Sequence, residues 1–164
     1  MSSRPTGMIC KLGLAVLVGL LFWNSETAMA EDETAAVKRE MQAYIAAYAT
    51  GEATKIAEHL NEPYMVVLPS GAQSFATRKE IEAFISTYIR DLKSKGITRL
   101  EFAEMHIKVL TQNIAMVGAV STRYGEGDKQ MGNAGWTYLL TKTGDVWKQA
   151  VVTATALDNV LRFE

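Results

Sequence analysis

Thr98-Arg99-Leu100-Glu101-Phe102-Ala103-Glu104-Met105-His106-Ile107-Lys108-Val109-Leu110 is the stretch that decides the fold. Apolar and polar residues alternate along it, the period-two pattern of a strand with one buried face. The alternation slips once. Leu100 and Phe102 share one parity, whereas Met105, Ile107 and Val109 share the other. Without an irregularity, such a slip would turn half of the apolar set to the wrong face. A β-bulge at Ala103 or Glu104 brings both sets to one side, and a bulge bends its strand. The expectation is a strongly curved sheet whose concave face wraps the elements that precede it.

Downstream, three more long strands are expected over residues 114–124, 130–142 and 146–156. Short turns join them at Gln112-Asn113, at residues 125–128 and at Thr143-Gly144-Asp145. Upstream the period changes. Val37, Met41, Tyr44, Ile45 and Tyr48 fall on one face of a helix predicted over 32–50, with Gly51 as its stop. A shorter helix is expected over 52–60, carrying Ile56 and Leu60. Glu62-Pro63 breaks that pattern, and Tyr64-Met65-Val66-Val67-Leu68 reads as a buried strand ending at the turn Pro69-Ser70-Gly71. Thr77 and Glu80 form a capping box for a third helix bearing Ile81, Phe84, Ile85, Tyr88 and Leu92. Lys93 and Lys95 suit its C-terminal dipole, and Gly96 ends it. Helices followed by an antiparallel meander define an α+β layout. No repeat, low-complexity segment or linker divides it, so residues 31–164 read as one domain.

Residues 1–30 carry the grammar of a cleavable signal peptide: basic Arg4 and Lys11, an apolar run from Leu12 to Trp23, and a polar stretch closing on Ala28-Met29-Ala30. The run is about 12 residues where a spanning helix needs about 20, so an anchor is disfavoured. Membrane association is expected only through the uncleaved leader, and the mature protein is expected to be periplasmic or secreted. Cys10 precedes the apolar run, which argues against a lipid anchor. It is also the only cysteine, so the mature domain has no disulfide, thiolate nucleophile or Cys-ligated metal. Loss of Arg4, Lys11 and Glu26 leaves 15 basic against 17 acidic residues. No basic stripe provides the footprint that nucleic-acid binding requires.

Tyr48-Ala49-Thr50-Gly51-Glu52, Pro69-Ser70-Gly71, Arg78-Lys79-Glu80-Ile81-Glu82-Ala83-Phe84 and Gly144-Asp145-Val146-Trp147-Lys148 occur in this order. Their spacing resembles the nuclear-transport-factor-2-like superfamily, in its SnoaL-like and ketosteroid-isomerase-like branch, over nearly all of the mature chain. The resemblance implies a cone-shaped domain with a pocket between helices and sheet, and often a homodimer. It does not imply one activity, because the superfamily holds isomerases, cyclases, dehydratases and members with none known.

Ketosteroid isomerases use a carboxylate base with a tyrosine and a protonated aspartate on the oxyanion. Carried onto this chain, the tyrosine falls on Tyr44. The base position, before Pro69, is Leu68, and the second acid falls within Asn133-Ala134-Gly135-Trp136, which holds no carboxylate. Tyr44 is thus the one catalytic candidate, and its rival reading is a packed ring with a single hydrogen bond.

His59 and His106 have no metal-site spacing, and neither a metal nor a cofactor is expected. His59 reads as a partner of a helix dipole, and His106 as lying on the face opposite Met105 and Ile107. Tyr44, Tyr48, Tyr64, Tyr88, Trp136 and Tyr138 form the expected ligand-binding set. Trp136, Tyr138 and Leu140 share one strand face, and Ile114, Met116, Val120 and Tyr124 share another; either set is able to serve as core. Arg123 is placed opposite Val120 and Tyr124, as a solvated sheet-face arginine or as the holder of an anion at a pocket mouth. Trp147, with Val151 and Thr153, is assigned to the outer, dimer-forming face. The closing residues, 157–164, either extend the final strand or cover the pocket mouth. Three functional readings follow: a small-molecule binding domain without catalysis, a SnoaL-like enzyme on a small organic substrate, and a partner-binding dimer whose cavity its own side chains fill.

Overall fold

A computed structural model describes the backbone of residues 16–163 and the side chains of residues 32–163. The signal-peptide reading of residues 1–30 falls on residues 1–15 and on the side chains of 16–30, which lie outside this range. Helix α1 (Val16–Ala47) ends in a 3-10 turn at Tyr48–Thr50. Gly51 then stops it in the left-handed conformation at φ 67°, which a residue without Cβ adopts at low cost. Helix α2 (Ala53–Ala57) is shorter than the pattern predicted, because Leu60 already belongs to strand β1 (Leu60–Leu68). Helix α3 (Arg78–Ser94) opens on the expected reciprocal cap of Thr77 and Glu80. No helix among the described residues is long and apolar enough to cross a membrane.

The sheet has six strands in the order β2-β1-β6-β5-β4-β3. Strand β2 (Gly71–Phe75) pairs antiparallel with β1 at one edge and was not foreseen. Its residues are exposed except for Phe75, so no apolar alternation marks it. Strands β3 (Arg99–Thr111), β4 (Ile114–Tyr124), β5 (Gln130–Thr143) and β6 (Val146–Thr155) form the expected meander, and β1 joins β6 in parallel.

The bulge falls where the alternation slips. Phe102 pairs with Ser121 and Glu104 with Val120, which leaves Ala103 unpaired. Leu100, Phe102, Met105, Ile107 and Val109 consequently share the concave side with Ala115, Val117 and Ala119 of β4. That side packs on Val37, Met41 and Tyr44 of α1 and on Ile81, Ile85 and Ile89 of α3.

A second bulge corrects the assignment of Trp147. Leu139 pairs with Val151 but Leu140 with Gln149, so Ala150 is skipped and the parity of β6 reverses there. Trp147 and Gln149 therefore point inward together with Val152. Trp147 is 3% exposed, and its indole Nε1 donates to Glu33 Oε2 at 2.9 Å. Lys142 Nζ donates to the other Glu33 oxygen at 2.5 Å. These two donors, Lys142 foremost, hold the Glu33 carboxyl below the ordinary carboxylate range. The clasp ties the middle of α1 to the adjoining ends of β5 and β6.

The closing segment neither extends β6 nor covers a pocket mouth. It turns at Leu157–Asn159 and crosses the convex face of the sheet. Val160 is buried there, and Arg162 Nη2 pairs with Glu104 Oε2 at 3.0 Å. Its seat requires missing side chains. A Cβ on Gly118 would stand 2.0 Å from the Leu161 carbonyl oxygen, and one on Gly135 2.8 Å from Val160 Cγ2. Val120 and Thr122 are buried on the same convex side. Gly118→Ala is expected to lift residues 157–163 off the sheet and lower stability by about 1–3 kcal/mol. Chemical denaturation together with carboxypeptidase trimming checks this; an unchanged midpoint with an untrimmed C-terminus contradicts the seat.

Candidate functional site

The cavity originates in the register of β4 on β5. Toward the narrow end, small residues of β4 face large ones of β5: Ala115 against Leu140, Val117 against Tyr138, Ala119 against Trp136. Beyond them Ser121 faces Ala134 and Arg123 faces Gly132, so neither β4 at Ser121 nor β5 offers a bulky side chain. The space stays unfilled. A cavity of about 130 Å³ results, walled by α1, β1, α3 and the concave sheet. Tyr44, Tyr48, Tyr64, Tyr88, Trp136 and Tyr138, the six aromatic residues singled out in the sequence, all line it. Val66, Phe84, Ile85 and Val152 complete the apolar wall, and Leu68 and Leu100 also border it.

Its polar groups fall into two kinds. Some are satisfied within the protein: Tyr44 and Tyr48 share a hydroxyl–hydroxyl bond of 3.0 Å, and Trp136 Nε1 donates to Ser121 Oγ at 2.8 Å. Others are not. Among the described residues the hydroxyls of Tyr64 and Tyr138 have no hydrogen-bond partner, although these residues are only 2% and 3% exposed. Neither oxygen is fully buried, so a molecule held in the cavity can reach both; the fully buried unpaired side-chain atoms among the described residues are instead Arg78 Nη1 and Gln149 Oε1. Burial pushes the phenols of Tyr44, Tyr48, Tyr64 and Tyr138 well above the ordinary tyrosine range, and that of Tyr88 upward as well. All five therefore remain neutral O–H groups at physiological pH.

Arg123 corrects the sequence reading of a solvated sheet face. Ala115, Val117, Ala119, Ser121 and Arg123 form the concave side of β4, and Arg123 lines the cavity together with Tyr88. Ile114, Met116, Val120 and Tyr124 lie on the convex side. Both sides of β4 are buried in its middle, one by helices and one by the closing segment, so the strand shows no amphipathic contrast to read.

Among the described residues no carboxylate or imidazole borders the cavity. Leu68, which precedes Pro69, is part of its wall, and Tyr44 packs edge-on against Tyr48, His59 and Tyr138. His59 lies behind Tyr44, where its Nδ1 meets Glu40 Oε1 at 2.7 Å rather than a helix end. His106 is on the convex side, as expected, with Nε2 3.5 Å from Glu104 Oε2. Among the described residues no three His, Cys, Asp or Glu side chains converge to hold a metal ion.

Helices laid into a bent sheet around an aromatic cavity define a cone-shaped α+β domain of the NTF2-like class. A family model for "NTF2-like protein (DUF6841)" matches residues 31–157, and the chain belongs to that family. Among solved structures it resembles a domain of unknown function with a cystatin-like fold from Nostoc punctiforme, at 22% identity and TM-score 0.60, over 76% of this chain and 78% of that one. It is also similar to an NTF2-like protein from Novosphingobium aromaticivorans, at 16% identity and TM-score 0.61, over 90% and 94%. A candidate ketosteroid isomerase from Shewanella frigidimarina aligns at 20% identity and TM-score 0.59, over 73% and 94%. No curated protein matches the chain significantly.

The raised phenols yield a pH prediction. A group whose folded pKa is raised contributes stability that is complete below its unfolded value, near 10, and is lost as pH rises beyond it. Five of the six tyrosines line the cavity. In an alkaline titration most of the tyrosinate absorbance should thus appear only with loss of the near-UV dichroism of the fold. Ionisation of all six near pH 10 in an intact fold contradicts a closed phenol cluster.

Proposed function

We propose that the protein is exported by removal of residues 1–30 and then binds a small organic molecule in the aromatic cavity without transforming it. One observation carries the reading: the cavity contains hydroxyl donors, on Tyr64 and Tyr138, that no protein group satisfies. Ligand sites combine an apolar wall with a few oriented polar groups. A core filled for stability alone gains nothing from two hydroxyls left facing a cavity, whereas a ligand there can pair with both.

The catalytic reading lacks its proton carrier. General acid–base work needs a group that changes protonation near neutral pH within reach of the substrate. Among the described residues the polar groups of the cavity wall are phenols displaced upward, an indole, a serine and a guanidinium. Tyr44 then serves as a wall and, through Tyr48, as part of a fixed hydroxyl pair.

A ligand bound only by the folded state raises the thermal midpoint. A panel of single-ring and short-chain organic compounds is expected to include some that do so in the wild type. In Tyr64→Phe and Tyr138→Phe the shift should shrink, while the unliganded midpoint stays level because neither hydroxyl makes a hydrogen bond to a described residue. A lowered unliganded midpoint in both variants, with no compound shifting the wild type, sinks the proposal.

A further inference from the structure

Arg123 is the group that the binding reading leaves unexplained. It projects from the concave side of β4 into the cavity wall and is partly buried. A guanidinium offers five N–H donors and cannot shed its charge in a protein. Tyr88, on α3, lines the same cavity, and the guanidinium's charge works against the upward pull of burial on that phenol. Among the described residues no Asp or Glu pairs with it. Asp91, one turn further along α3, acts on the Tyr88 phenol, but Lys95 Nζ holds its carboxylate at 2.7 Å. Elsewhere on the molecule, Arg78, Arg99 and Arg162 are each paired with carboxylates. A cation drawn out of water without a counter-ion is unfavourable, and the planar fork of arginine matches a carboxylate through two parallel bonds.

The remaining polar groups point the same way. Tyr64 and Tyr138 contribute two O–H donors without acceptors, and the Trp136 N–H is already used by Ser121. Phenols donate and accept alike, but the guanidinium only donates and carries the charge, so Arg123 sets the polarity of the site. Its complement is a molecule that carries acceptors and a negative charge. Its size sets the rest: about 130 Å³ is close to the roughly 150 Å³ that accommodates a benzene ring.

From this geometry we propose that the ligand is a small monocarboxylic acid with a single-ring or comparably short apolar body. The carboxylate rests on Arg123 beside Tyr88, the body fills the space between Phe84, Val152 and Trp136, and a further acceptor oxygen on the body meets Tyr64 or Tyr138. This rests on the binding reading above and narrows it to one chemical class.

Matched pairs separate the two claims. Titration calorimetry of the purified protein with benzoate, 4-hydroxybenzoate and cyclohexanecarboxylate, each against its primary amide and methyl ester, should give acids at least about tenfold tighter than their neutral partners. Arg123→Gln should remove that preference with little change in the unliganded thermal midpoint, and Arg123→Lys should restore part of it. Amides and esters that bind as tightly as the acids overturn the carboxylate assignment and leave the binding reading standing. Failure of every acid, amide and ester overturns both. Should Arg123→Gln not fold, the acid-to-amide ratio in the wild type and in Tyr88→Phe still decides, because a carboxylate shared by Arg123 and Tyr88 must lose affinity in Tyr88→Phe.

Discussion

One unpaired residue, Ala103, sets the shape on which everything else depends. It stands between the pairs Phe102–Ser121 and Glu104–Val120, and it lets both halves of β3 present apolar side chains to the same side. Without it, Met105, Ile107 and Val109 would face the convex surface and the helices would lose their floor. With it, the strand bends, and the sheet wraps α1 and α3. The bulge at Ala150 does the same for β6, turning Trp147 and Gln149 inward and allowing Glu33 to clasp the narrow end through Trp147 and Lys142.

A bent sheet laid over straight helices diverges from them at one end, and side-chain size decides whether that end is filled. At the narrow end Leu140 and Tyr138 oppose Ala115 and Val117, and packing is complete. At the wide end Ser121 opposes Ala134, and the volume remains open beneath a canopy of tyrosines. The energetics of the site follow from this geometry. Walls of aromatic carbon exclude water, so hydroxyls and a guanidinium inside them are worth more when paired and cost more when not. Binding can draw on that difference.

Most of the fold was legible in the sequence because strands and helices with one buried face print their period directly. The half of α1 from residue 32 onward, α3, the four long strands and the bulge on β3 were read from parity and capping alone. Reading failed where an element lacks contrast between its faces. Strand β2 is exposed on nearly every residue, and β4 is buried on both sides, so its apolar Val120 and Tyr124 mimicked a core while Arg123 seemed to face solvent. The bulge at Ala150 has no marker in Gln149-Ala150-Val151-Val152, and the parity of Trp147 was lost with it. The six aromatic residues of the site were accessible to reasoning because their elements were correctly placed. The unpaired state of their hydroxyls was not, since it depends on what stands opposite each one across the cavity.

The central claim is that this volume is open in the folded protein rather than filled by its own side chains. Xenon enters apolar cavities of this size. Methyl-resolved NMR under xenon pressure measures it directly: saturable shifts confined to Val66, Ile85, Leu100 and Val152 are predicted, with the narrow-end residues Val37 and Leu140 unmoved. The absence of any saturable shift at the cavity methyls would mean that the tyrosines close upon one another, and the binding account would be wrong.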